Sequence, residues 1–145
     1  MDDFVRGVRV KLRPSDGQKA LFDQNFGCCR KAHNEVLARY TTLHGEDYSK
    51  VPTKSELNKL LMEAKAEFSY LSDVESTSLQ QAVYDLQPAF RNYIKSKRHK
   101  PPIFHTKRKE KRKFRQTIRK DKKLVKGNIV DLRVYGEVEM RTSQF

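Results

Sequence analysis

Apolar positions along the chain follow two periods. Near the start Val8, Val10 and Leu12 alternate with Arg9, Lys11 and Arg13, the period of two expected of a strand with one covered face, and Pro14 ends it. Ser15 and Gln18 have capping-box spacing, and Ala20, Leu21, Phe22 and Phe26 predict a short helix that Gly27 interrupts or ends. Cys29, Ala32, Val36, Leu37 and Tyr40 continue at steps of three and four, as a second helix or a bent extension of the first. After a polar connection over residues 41–52, Thr53 and Glu56 form another capping box, opening a helix with Leu57, Leu60, Leu61 and Ala64 on one face.

The longest helix is expected from about Ser76 to Ser96, on Leu79, Val83, Leu86, Phe90 and Ile94. Pro88 lies inside it, where a missing N–H and a steric clash cost about 3 kcal/mol in a straight helix, so the axis is expected to kink between Tyr84 and Gln87. Lys100-Pro101-Pro102 forbids helix locally. From Leu124 the strand period returns: Leu132 and Val134, then Val138 and Met140, alternate with charged residues on either side of Tyr135-Gly136. The order predicts an α+β chain whose two ends pair into one small β-unit, with about four helices inserted between them.

Charge sharpens this picture. The 145 residues hold 31 Lys/Arg against 18 Asp/Glu, a formal net charge of +13, with a mean hydropathy of −0.84. The window from Lys95 to Lys126 alone contains 16 Lys/Arg against Glu110 and Asp121, a net +14, so the remainder sums to −1. A field so concentrated implies a polyanionic partner. No apolar run approaches the roughly 20 residues of a membrane span, the N-terminus lacks a secretory apolar core, and KRKEKRK at 107–113 is polar all round, unlike a helix lying on a membrane. Nucleic acid is therefore expected, in the cytoplasm and at the nucleoid, with no membrane partner.

Candidate chemistry is sparse. Cys29 and His33 share a helical face, but a structural zinc site needs four ligands, and His44, His99 and His105 lack partner spacing. Cys29 is expected to pack as a small hydrophobe, and no metal site is assigned. Asp73 with Glu75, and Glu137 with Glu139, read as a helix cap and a surface strand face, so no catalytic set is assigned either.

Five blocks occur in order: VRVKLRPSDGQKALFDQNFGCCRKAHNEVL at 8–37, SELNKLL at 55–61, YLSDVESTSLQQAVYDLQPAFRNYIK at 70–95, PPIFHTKRKEKRKFRQT at 101–117 and KGNIVDLRVYGEVEMR at 126–141. The series resembles the N-terminal part of TnpB proteins, transposon-encoded RNA-guided nucleases related to type V CRISPR effectors, including their GCxRxxxNxxL pattern. The resemblance implies a wedge β-barrel built from the terminal strands and a helical recognition lobe inserted in it. Residues 1–14 would be the first wedge strand, 15–100 the lobe, and 101–145 a basic crossing followed by further wedge strands. Two departures stand out: Pro88 replaces a helix former, and Leu132-Arg-Val-Tyr-Gly136 replaces the family's Pro-Lys-Leu-Gly.

Carried onto matching positions, the resemblance implies that Ser76, Thr77, Gln80 and Gln81, with Gln116 and Thr117, read a short motif beside the DNA target. Amides and hydroxyls suit base edges, and a helix N-terminus favours phosphate. Lys95, Arg98, Lys107, Arg108, Lys111, Arg112, Arg115 and Arg119 are expected to neutralise RNA phosphates, with Phe104, His105 and Phe114 as stacking partners. The family's RuvC-like nuclease and zinc ribbon have no counterpart before Phe145. The expectation is thus a non-catalytic half of a split or shortened effector that binds guide RNA and target DNA. A separate RuvC-bearing chain would supply cleavage and its Mg, and these residues need no cofactor. The rival expectations are a nuclease-lacking DNA-binding regulator or transposon remnant using Ser15 to Tyr40 as a helix-turn-helix, and a plain RNA-binding accessory protein.

Overall fold

The computed structural model describes residues 9–96, 98, 100–106, 114–116, 125–126, 129–132 and 135–140. In chain order the elements are β1 (Leu12–Arg13), α1 (Asp16–His44), α2 (Lys54–Glu67), a 3-10 turn over Ser69–Asp73, α3 (Ser76–Tyr84), α4 (Leu86–Lys95), β2 (Val125–Lys126), β3 (Ile129–Leu132) and β4 (Gly136–Met140). The chain is α+β. It divides into one unit made of Met1–Leu21 with Ile118–Phe145 and a second made of Phe22–Thr117, so the crossing as far as Thr117 groups with the helices.

In the first unit the strands form an antiparallel sheet in the order β1-β4-β3-β2. Val130 lies opposite Val138, and Leu12 opposite Met140. The apolar residues therefore share one face of the pleat, where Val130, Leu132, Val138 and Met140 are buried. Leu132 pairs with Gly136, whose φ of 74° is a left-handed conformation that a side chain would disfavour. Ser15 and Gln18 exchange the two bonds of a capping box, and Gln18 Nε2 also donates to the Glu137 carbonyl at 2.8 Å, tying the first turn of α1 to β4. The expected barrel is not closed among the described residues. β1 and β2 are the two edges, each two residues long, and do not pair with each other. Val8 and Val134 of the expected strands lie outside the described residues.

The helices of the second unit divide differently from the expectation: the first two are one, and the longest is two. Helix α1 runs 29 residues without a break at Gly27. One interior glycine costs about 1 kcal/mol, and burial outweighs it because Phe22 and Phe26 before it are in phase with Ala32, Val36, Leu37 and Tyr40 after it, all buried. Onto Ala32, Val36, Leu37 and Tyr40 of α1 pack Leu57, Leu60, Leu61 and Ala64 of α2, Leu79 and Val83 of α3, and Leu86 and Phe90 of α4, as one core. Ile94, expected on the same face, is 39% exposed. Cys28 is the buried cysteine; Cys29 is half-buried against the core, its thiol donating to the Ser78 carbonyl at 3.6 Å.

Helix α3 ends at Tyr84 and α4 begins at Leu86, within the window set by Pro88. Proline has no N–H for the carbonyl four residues back, here Tyr84, and at the third position of α4 none is missed. The second capping box is present: Thr53 Oγ1 accepts from Glu56 N–H at 3.1 Å, and Glu56 Oε1 accepts from Thr53 N–H at 3.2 Å. Glu56 is held below the usual carboxylate range chiefly by that backbone bond.

His33 is a buried polar residue on α1, its ring stacked on that of His105 at 3.8 Å and 8°. Burial first, and His105 second, push its pKa down to about 4, against smaller opposing effects of the Asn34 hydrogen bond and Asp85.

Two outcomes are expected. A Cβ at Gly27 would meet only the end of the Arg30 side chain, at 3.8 Å, so Gly27→Ala should stabilise the chain by roughly 0.5–1 kcal/mol, read as a higher urea midpoint at unchanged slope. For His33, the unfolded chain, with a histidine pKa near 6.5, binds a proton that the folded chain refuses. Stability is therefore full above about pH 6.5 and lost as pH falls toward 4, by roughly 2–3 kcal/mol at pH 4.5. Urea unfolding at pH 7 and pH 4.5 should show this loss shrinking by about that amount in His33→Phe, which keeps a stacking ring without the titration.

Candidate nucleic-acid interface

The α3 end of the site is built by a buried carboxylate. Glu75 is the N-cap of α3, 2% exposed; it accepts the Ser78 N–H at 2.6 Å and the Thr77 hydroxyl. A carboxylate there satisfies orphan N–H groups and occupies the positive end of the helix dipole. Of the Asp73/Glu75 pair read as a cap, Glu75 is thus the one that caps, and the attraction of this N-terminus for phosphate is already met. Ser76 is exposed, while Thr77, Gln80 and Gln81 are half-buried. The surface they offer is neutral and polar, matched to hydrogen-bonding groups more than to charge.

Among the described residues, the basic window meets the helices at His105 and at Phe114–Arg115. At the first, Asn34 of α1 donates from Nδ2 to the His105 carbonyl at 2.9 Å and accepts the His105 N–H at Oδ1, 2.8 Å away. Beside this pair the His33 and His105 rings stack. At the second, Arg115 Nη2 donates to the Gln81 carbonyl at 2.8 Å and to the Asp85 carboxylate. The neighbouring Phe114 ring sits edge-on to Phe22 at 5.2 Å and tilted to Phe26 at 6.0 Å. The Pro88 break matters here. Gln81 falls in the last turn of α3, where carbonyls run out of helical partners, and Asp85 sits in the gap.

Of the expected motif readers, the structure therefore brings α3 and residues 115–116 together through Arg115, and Gln116 is half-buried there; Thr117 lies outside the described residues. Of the expected phosphate contacts, Lys95 at the end of α4, Arg98 and Arg115 are exposed, and Lys107, Arg108, Lys111, Arg112 and Arg119 lie outside the described residues. Phe104 is 55% exposed, whereas Phe114 and His105 each have a ring partner within the chain. Asn34, Glu75 and Asp85 were not expected in the site. Asn34 carried a signal, as the Asn of the GCxRxxxNxxL pattern, and Glu75 another, as a helix-cap carboxylate.

Cys28, Cys29 and His33 do not gather as ligands. Burial pushes the Cys28 thiol up, with Asp73 adding to it, Cys29 faces Ser78, and His33 faces His105. Among the described residues no three His, Cys, Asp or Glu side chains converge as a metal site, and no helix is long and apolar enough to cross a membrane.

A family model described as a helix-turn-helix domain, of the OrfB IS605 type, matches residues 1–47; in this structure residues 16–44 of that stretch are one continuous helix. The chain is 32% identical over 110 residues to a Streptomyces pristinaespiralis protein named as an RNA-guided DNA endonuclease, covering 75% of this chain and 27% of that one. It is 28% identical over 95 residues to the protein of Escherichia coli strain K12 named as RNA-guided DNA endonuclease InsQ, covering 64% and 23%. The chain thus spans about a quarter of the length of the curated relatives it matches. The domain match, both relatives and the ordered sequence blocks agree: this chain is TnpB-like.

Proposed function

We propose that these residues form the guide-RNA- and target-DNA-binding half of an RNA-guided DNA endonuclease. The helices act as a recognition lobe and the sheet as part of a wedge domain. Ser76, Thr77, Gln80 and Gln81, with Gln116 and Thr117, read the motif beside the DNA target. The cations from Lys95 to Arg119, with Phe104 exposed among them, hold the RNA. Cleavage belongs to a RuvC-type nuclease outside these residues, which also carries the divalent metal, and the assembly works in the cytoplasm at the nucleoid.

The observation that carries this reading is the joint at Arg115. A neutral polar helix face lies against Arg115, which belongs to the window that holds the chain's excess charge; this supports a reading in which base and phosphate contacts are adjacent but chemically separate. The names of the two relatives support the substrate class. The regulator reading draws on the helix-turn-helix description of the matched domain, but Ser15 to Tyr40 contains no turn between helices.

Two experiments test the proposal. Nucleic acid extracted from the protein purified from its host should contain one discrete RNA mapping beside the gene or to a CRISPR array; no RNA, with tight binding to duplex DNA instead, would move the function to the regulator. In a depletion assay of the assembled effector, Gln80→Ala should relax the preference for the target-adjacent motif, worth about 1–3 kcal/mol per lost base-edge contact. An unaltered preference would remove Gln80 from the reading set.

A further inference from the structure

We propose that Glu75 is a positioning residue that fixes the hydrogen-bond polarity of the reading face. By taking the hydroxyl proton of Thr77 it makes Thr77 an acceptor, which selects a base that offers an amino group, adenine N6 or cytosine N4. The proposal rests on the reading of Thr77 as a contact to the motif beside the DNA target.

Gln80 and Gln81 stand three and four positions after Thr77, so the three share one face of α3, and all are half-buried. The two glutamines do not set the polarity of that face. A primary amide carries both a donor and an acceptor, and a half-turn of the group exchanges them. An unconstrained hydroxyl is equally undecided, because its proton rotates to suit the partner. Thr77 is different. Its hydroxyl donates to Glu75 Oε1, while Glu75 Oε2 accepts the Ser78 N–H at 2.6 Å. Each carboxylate oxygen thus has its own donor, and Glu75 is only 2% exposed, so water competes little for either. A hydroxyl has one proton and two lone pairs, and once the proton is spent the oxygen can only accept. A Ser, Thr or Asn cap would satisfy one backbone N–H without burying a charge, which is costly unless its hydrogen bonds are made. The second carboxylate oxygen adds the contact to Thr77.

Base edges answer such a group unequally. In the major groove adenine and cytosine present amino groups at N6 and N4, where thymine and guanine present carbonyls at O4 and O6. An acceptor set against a carbonyl has no proton to share, and a polar group desolvated without a partner costs more than a made bond returns. Thr77 therefore separates amino from keto bases, a distinction that cuts across purine and pyrimidine.

The RNA-loaded complex purified from its host is selected on duplexes whose guide-matched target adjoins a randomised stretch. Thr77→Val, which removes the hydroxyl, should abolish preference at one position, and Thr77→Ser should retain it. At that position the amino group is then deleted, with purine in place of adenine or pyrimidin-2-one in place of cytosine. The deletion should weaken binding about five- to tenfold in the parent complex and leave Thr77→Val unaffected. Glu75→Gln should turn the contact over. Only its amide oxygen can accept the Ser78 N–H, so its nitrogen faces Thr77 and donates, and the hydroxyl proton is released toward the base. Preference on the same strand should pass to thymine or guanine, whereas loss of a cap that merely held the helix would weaken every base alike.

A parent complex indifferent to the amino group, at a position that Thr77→Val relaxes, would overturn the acceptor assignment without any change at Glu75. A Glu75→Gln complex that folds and keeps its preference for the amino base would overturn the role of Glu75. Both outcomes leave Thr77 a reader. Thr77→Val without effect at any position would instead overturn the proposal together with the place of Thr77 in the reading set.

Discussion

The apolar stripe of α1 has to stay in phase for 29 residues, and everything in the helical unit depends on its doing so. At 1.5 Å per residue such a helix is about 43 Å long, long enough to share one core with α2, α3 and α4 from Cys28 to Tyr40 and still offer Phe22 and Phe26 to Phe114. Had Gly27 broken the helix, Phe22 and Phe26 would no longer be registered to Ala32, Val36 and Tyr40, and Phe114 would have lost the surface it rests on. The polar positions beside the stripe inherit the same rigidity. Asn34 can hold the backbone of residue 105 only because its neighbour His33 and the next turn's Leu37 are fixed in the core.

The break between α3 and α4 complements that continuity. Pro88 removes one donor, and the chain answers with a helix end at Tyr84 instead of a bend spread over several turns. A helix end exposes carbonyls, and Arg115 takes one of them. The ion pair with Asp85 lies on the surface and is weak on its own. It gains from being coupled to a backbone acceptor and to a ring packed two residues deep.

Much of this architecture is legible in the residues. Both Ser/Thr capping boxes, the face of α2, the place of the Pro88 disturbance (read as a kink, found as a helix end) and the reversal at Gly136 follow from local rules that no tertiary contact opposed. Gly27 was misleading because propensity weighs about 1 kcal/mol against many times that in burial on either side; the unbroken phase from Phe22 to Tyr40 was the better signal. Periodicity ranks Cys29 within the stripe and Cys28 about 100° to its side, yet Cys28 is the buried one, its thiol directed at the Tyr70 carbonyl from the 3-10 turn. The clasp of Asn34 on residue 105 joins positions 71 apart, and that of Arg115 on Gln81 positions 34 apart. Long-range pairs of this kind leave no trace in spacing.

Glu75 shows how the electrostatics are divided. The start of a helix is a natural phosphate site, yet here a buried carboxylate fills it and the residues that follow are neutral. A phosphate approaching α3 meets no open helix dipole and a negative charge behind it. The chain outside residues 95–126 sums to −1, so long-range attraction for a polyanion arises almost wholly from the basic segment. Under the proposed function, a nucleic acid drawn in by that segment would be held by its backbone there, leaving its bases to Ser76, Gln80 and Gln81 without competition from the same groups. Charge that would add affinity at α3 would do so for every sequence alike and so blur discrimination. On that proposal, a neutral face at α3 with Arg115 bonded to its Gln81 carbonyl lets the two tasks sit side by side.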